Sequence, residues 1–241
     1  MDILSVEGLT KKFGDTTAVN NISLSLASGE VYALIGPNGS GKTTLVKTIA
    51  GLLRPNHGKI MVDGVDIVLE PARAKAALGY IPDEPSAWSG MTGEEFLHFI
   101  GAIWGVPEAA RKNRVKELLA AFHLAGIEKG YFEDYSRGNK QKFTIMAGLL
   151  HQPKLLLIDE PIVGLDPESA EIAKKEFREF ANRGGAVLIV THTLNVAQEI
   201  ADVIGVLKNG KLVASASFKE LKKMAKLGDN ASLEDVYKVL A

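Results

Sequence analysis

The sequence predicts an α/β fold with a mostly parallel central sheet, an antiparallel β region and an inserted helical subdomain. Three observations predict it. Continuous apolar runs at 31–35, 155–158 and 187–190 alternate with helical patterns, as parallel strands covered on both faces do. Near the amino end, Ile22, Leu24 and Leu26 alternate with serines and close on Ser28-Gly29, the pattern of a one-sided strand and its turn. From residue 83 to 150 that pattern stops and apolar residues recur at helical spacing. A single domain is expected: a core from 1–82 and 151–215, the helical subdomain 83–150, and a charged helical tail 216–241.

Each element has its own signal. The run 31–35 leads into Gly36–Thr44 and then to Leu45, Ile49 and Leu52 at helical spacing, in a helix ending near Gly51 and Pro55. Strands at 59–62 and 65–68 flank Asp63-Gly64, and strands at 204–207 and 211–214 flank Asn209-Gly210, both hairpin signals. Pro82 and Pro85 make the stretch from Tyr80 a stiff, extended hinge. Thr92-Gly93-Glu94-Glu95 reads as a capping box, followed by a stripe of Phe96, Phe99, Ile100 and Ile103. Pro107 opens a second helix that buries Val115, Leu118, Leu119 and Phe122, and a third starts near Lys140 behind Ser136 as its cap.

Composition narrows the function classes. With 241 residues, 46% of them hydrophobic, the chain can bury a substantial core. Its net charge of −1 offers no global basic field, so nucleic acid is not an expected partner. Cys is absent, which excludes a disulfide framework, thiolate zinc sites and cysteine nucleophiles. The start at Met1-Asp2-Ile3-Leu4 lacks a signal peptide's pattern, and no apolar run approaches the ~20 residues that cross a bilayer. Any membrane role is therefore expected to run through a partner. His57, His98, His123 and His151 show no metal-ligand spacing.

The chemistry centres on Gly36-Pro37-Asn38-Gly39-Ser40-Gly41-Lys42-Thr43-Thr44, which fits G-x-x-x-x-G-K-[ST] between a strand and a helix. Glycines let the backbone curl so that N–H groups converge on an anion, and the helix N-terminus adds unpaired donors. Lys42 is expected to neutralise β- and γ-phosphates, and the Thr43 hydroxyl to ligate Mg²⁺. Asp159 ends a buried strand, where a carboxylate needs a cation or strong donors, so it is a second Mg²⁺ candidate. Glu160 is placed to take a proton from water attacking a γ-phosphate. His192, which follows the run 187–190, is placed to touch that phosphate and hold the water or its base. Read from its residues alone, Tyr135-Ser136-Arg137-Gly138-Asn139 is a capped helix start or a second anion site.

Together these parts resemble the nucleotide-binding subunit of ABC transporters, a P-loop NTPase, over essentially the full chain. The specific feature is their order: phosphate loop, helical insert, signature loop, strand-Asp-Glu, Gly164-Leu165-Asp166, then His192. The resemblance implies a homodimer, or a heterodimer with a similar subunit, that sandwiches two ATP molecules. Ser136 and Gly138 would meet the γ-phosphate of the opposite copy, and Phe13 would lie under the adenine. Asp166 would link the two sites across the interface. Glu160 would be the general base and His192 the γ-phosphate sensor. The resemblance also implies an integral membrane permease docked on the helical insert, and a place on the cytoplasmic face of the membrane.

The chain departs from the usual family pattern at three points. The signature is Tyr-Ser-Arg-Gly-Asn in place of Leu-Ser-Gly-Gly-Gln, putting Arg137 at the dimer seam. Asp83 stands where a glutamine usually reaches Mg²⁺, and Asp83 and Glu84 both remain candidates for that task. Phe13 replaces the more usual tyrosine. The Tyr-Ser-Arg-Gly variant, the Pro-Asp-Glu-Pro hinge and the ending 232–237 resemble the ABC-2 type exporter branch, and Trp88, near Met91, is expected at the permease contact. Two alternatives stand beside export: an ABC-type ATPase with a soluble partner, as in cluster assembly, and a nucleotide-binding regulatory module without useful hydrolysis.

Overall fold

The computed structural model describes residues 2–85, 90–160, 162 and 164–241, so the expectation for Trp88 lies outside the described residues. Strands β1 (Asp2–Phe13) and β2 (Thr16–Ala27) form a long antiparallel hairpin. Ile22, Leu24 and Leu26 point inward and the intervening serines outward, following the period of two in the pleat. Phe13 is the last residue of β1. Strand β3 (Val31–Ile35) is buried throughout and feeds α1 (Lys42–Ile49), whose inner face is Leu45, Val46 and Ile49. Leu52, expected on that face, lies beyond the helix end and is 56% exposed.

Strands β4 (His57–Val62) and β5 (Val65–Asp66) pair across Asp63-Gly64 as expected, but β5 stops short of Val68. The Asp66 carboxylate accepts the N–H groups of Val68 and Leu69, and that local turn competes with the ladder. Helix α2 (Pro71–Ala76) buries only Ala74 and so carries no apolar period that sequence could reveal. Strand β6 (Leu78–Ile81) is short and contains Gly79, which blunts its signal. The hinge follows β6 directly and bends at Asp83 and Glu84.

In the helical insert, α3 (Gly93–Ile103) opens on the expected capping box. Thr92 Oγ1 accepts the Glu95 N–H at 3.2 Å, and the Glu95 carboxylate accepts the Thr92 N–H at 2.9 Å. Its expected stripe divides: Phe96 is buried with Leu97 and Gly101, while Phe99 and Ile103 are exposed. The reason is close packing on the Leu97–Gly101 side, where a methyl built on Gly101 would meet Arg111 and Leu150 within 3 Å. Helix α4 (Glu108–Ala121) buries Val115, Leu118 and Leu119, with Phe122 just beyond it. Helix α5 (Arg137–Leu149) starts at Arg137 rather than near Lys140, because the Ser136 side chain accepts the Asn139 N–H and draws Arg137 and Gly138 into the first turn.

The chain then runs through β7 (Leu155–Asp159), α6 (Pro167–Asn182), β8 (Ala186–Thr191) and α7 (Leu194–Ile200). Strands β9 (Val203–Lys208) and β10 (Lys211–Ala216) form the Asn209-Gly210 hairpin, and helices α8 (Phe218–Met224) and α9 (Leu233–Leu240) close the chain.

Two sheets result. The six-stranded sheet has the order β10-β9-β3-β8-β7-β6 and is parallel except at β9/β10; the four-stranded sheet, β2-β1-β4-β5, is antiparallel. Alternate residues of β7 go to opposite faces of the central sheet. Leu155 and Leu157 join the core shared with α1 and the antiparallel sheet, while Leu156 and Ile158 join the core shared with the helical insert and α6. Burial on both faces is why these strands read as unbroken apolar runs.

Candidate functional site

Three parallel strands end together. Ile35 pairs with Thr191, and Asp159 with Val190, so the segments that follow β3, β7 and β8 emerge at one edge of the sheet. That edge is where open α/β sheets gather ligands. The loop after β3 is built by close approach. A methyl on Gly36 would fall 2.4 Å from the Leu207 carbonyl oxygen and 2.8 Å from Ser40 Oγ; one on Gly41 would fall 2.2 Å from the Ala18 carbonyl oxygen. Gly41 also holds φ 103°, a backbone state that side chains disfavour.

Inside the loop, the Lys42 ammonium donates to the Gly36 carbonyl at 2.8 Å and to the Pro37 carbonyl at 3.1 Å. Burial pushes its pKa down, and the charges of Glu160 and Asp159 act against that push. The Ser40 hydroxyl is buried without a hydrogen-bond partner among the described residues, an orphan that an anionic ligand in the loop would satisfy. Asn38, Gly39, Gly41, Lys42, Thr43 and Thr44 line a cavity of about 400 Å³ together with Asp83, Arg137, Glu160 and His192.

Asp159 is 2% exposed, and its carboxylate accepts the Thr43 hydroxyl at 3.2 Å. Burial raises its pKa, the Thr43 bond opposes this, and the nearby charges of Glu160 and Asp83 add to the rise. A buried carboxylate beside a hydroxyl is a hard-oxygen donor set that suits Mg²⁺, which keeps waters and takes phosphate oxygens as further ligands.

Glu160 adopts φ 51°, the left-handed region, which turns its side chain out of the strand's alternation. Its carboxylate accepts the Thr191 hydroxyl at 3.0 Å, the His192 N–H at 3.0 Å and the His192 ring Nδ1 at 2.8 Å. The Thr191 hydroxyl in turn accepts the Thr193 N–H at 3.0 Å. Thr191 thus fixes Glu160, a role sequence reading did not give it. Its position at a strand end beside His192 was the available signal.

The remaining expected residues sit apart. Phe13 is 50% exposed, with the Lys11 ammonium 5.0 Å from its ring centre, and it does not line the cavity. Ser136 and Gly138 do not line it either, although Arg137 between them does. Asp166 caps α6, accepting the Ser169 N–H at 2.9 Å and the Ser169 hydroxyl at 2.6 Å; these bonds hold its pKa at about 2.

The family model described as ABC transporter matches residues 19–163. The chain is 36% identical over 226 residues to the bacitracin transport ATP-binding protein BcrA of Enterococcus faecalis, covering 92% of this chain and 71% of that one. It is 34% identical over 219 residues to the linearmycin resistance ATP-binding protein LnrL of Bacillus subtilis (strain 168), covering 91% of this chain and 70% of that one. A solved structure titled as the ATP-binding subunit of an ABC transporter superposes with a TM-score of 0.94 at 31% identity, over 99% of both chains. By these matches the chain belongs to the ABC transporter family as one of its ATP-binding subunits.

Proposed function

We propose that this chain binds ATP with Mg²⁺, hydrolyses it between two copies, and energises export through a separate membrane permease. The observation that carries the reading is the Thr43–Asp159 bond at 3.2 Å beside the Lys42-filled loop, which supports a cation's ligands beside a phosphate's. Lys42 would exchange its two loop carbonyls for phosphate oxygens. Thr43 and Asp159 would hold Mg²⁺, which supplies charge neutralisation on the phosphates.

Glu160 would take the proton from the attacking water. Its position is set by Thr191 and His192 rather than by its own flexible stem. His192 would touch the γ-phosphate while its ring and main chain hold the Glu160 carboxylate.

Ser136 and Gly138 lie off the chain's own phosphate cavity. This supports their acting on the nucleotide of a second copy, with the exposed Phe13 ring available to an adenine. No described helix is long and apolar enough to cross a membrane, so the permease would be another chain. A groove of about 360 Å³ between the core and the insert would take a largely apolar permease segment that brings polar groups of its own, on the cytoplasmic face. It is lined by Leu52, Leu78, Phe96, Ile100 and Trp104, and two of its lining residues, Tyr80 and His151, carry buried polar atoms with no partner among the described residues. The test is co-purification from membranes with and without Trp104→Glu, alongside ATP turnover of the isolated chain. Loss of a membrane-protein partner with retained ATP binding supports the reading, and absence of ATP turnover in the parent chain contradicts it.

A further inference from the structure

The cavity around the phosphate loop contains a carboxylate that a phosphate site should repel. Asp83 lines it together with Lys42 and Thr43, and among the described residues no lysine pairs with it. The group that does meet it is the Arg137 guanidinium, whose Nη2 lies 3.7 Å from Asp83 Oδ1. Arg137 comes from the start of α5 in the same chain, and its stem lies against Gly164, where a methyl would fall 3.2 Å from its Cδ. Gly138 is equally close to that segment, since a methyl on it would fall 3.0 Å from the Gly164 carbonyl oxygen. The hinge after β6, the first turn of α5 and the segment after β7 therefore meet at one side chain.

We propose that Arg137 is a positioning residue for Asp83, acting within its own chain and not only at the seam between copies. This rests on the reading of the loop as a nucleotide site. The guanidinium balances the carboxylate, so an anionic residue can stand in a phosphate cavity without driving the phosphates out. It also links the hinge to the first turn of α5. Both side chains are about half exposed, at 58% for Arg137 and 46% for Asp83, so solvent screens the pair and its effect is modest and sensitive to salt.

The test is a double-mutant cycle on the full chain, with ATP binding measured without magnesium so that no hydrolysis occurs. Arg137→Gln should weaken ATP binding about two- to fivefold, because Asp83 is left uncompensated. Adding Asp83→Asn should restore affinity to near the parent value, and Arg137→Lys should retain most of it. The Arg137→Gln defect should shrink as salt rises from about 0.1 M to about 1 M. A double variant no tighter than Arg137→Gln would overturn the proposal, since Arg137 would then act on the phosphates directly or only on the fold. An unchanged Kd in Arg137→Gln would overturn it too. Failure of the parent chain to bind ATP would instead remove the nucleotide reading itself.

Discussion

Nδ1 of His192 lies 2.8 Å from Oε1 of Glu160, and the His192 backbone N–H donates to the same oxygen at 3.0 Å. One residue thus holds the carboxylate from both its ring and its main chain. The expected base is held by His192 and by the Thr191 hydroxyl. Glu160→Gln keeps the size and the acceptor oxygen but cannot take a proton. It should bind ATP with near-parent affinity and lose about 10²- to 10⁴-fold in kcat, read by phosphate release. Brisk turnover would remove Glu160 from the role.

Thr191→Val tests the other half of that support. The valine matches the shape and deletes the hydroxyl that donates to Glu160 and accepts from Thr193. Stability should fall by about 1 kcal/mol, because the Thr193 N–H loses its acceptor. In kinetics, kcat should fall while KM for ATP stays near the parent value, since Thr191 is not among the residues lining the phosphate cavity. A rise in KM with kcat unchanged would contradict this.

Asp159→Asn should separate stability from function. Burial raises the pKa of Asp159 above its ordinary 3.8, so the folded state holds the proton more tightly than the unfolded chain. The ionised form therefore costs stability in full above the raised folded-state value, and the cost fades as pH falls from there to the ordinary value. In metal-free buffer near neutral pH, the Asn variant should be more stable by about 1 kcal/mol, or roughly 2–4 °C in Tm. The gain should vanish toward pH 4 (~3.8 being the unfolded value), and ATP turnover should be lost at every pH. An Asn variant less stable than the parent at neutral pH would show that Asp159 is already compensated.

Lys42→Ala removes the donor that bridges the Gly36 and Pro37 carbonyls as well as the charge proposed to meet phosphate. ATP affinity should drop at least tenfold, while the fold survives because the loop is held by Gly36, Gly41 and their backbone neighbours. Equilibrium binding and circular dichroism together check both halves.

Much of this site was legible because its elements are local. The phosphate loop needs only nine consecutive residues, Gly36 to Thr44, and β7 and β8 announce themselves as buried runs that end on polar residues. What sequence hid was contact between distant segments. Arg137 reads as a seam residue, and only the packing of α5 on Gly164 brings it to Asp83. Leu52, Phe99 and Ile103 have helical spacing yet face outward, because periodicity names a face without naming its neighbour. Strand β6 and helix α2 are too short to register.

The central claim is that each copy carries an incomplete nucleotide site that its twin completes, since Ser136 and Gly138 lie outside the cavity of their own chain. The most direct measurement is sedimentation of the Glu160→Gln protein with and without Mg²⁺ and ATP. The account predicts a monomer without nucleotide and a dimer with it, the dimer being lost when Ser136→Arg is added. A protein that stays monomeric with saturating ATP and blocked hydrolysis would contradict it.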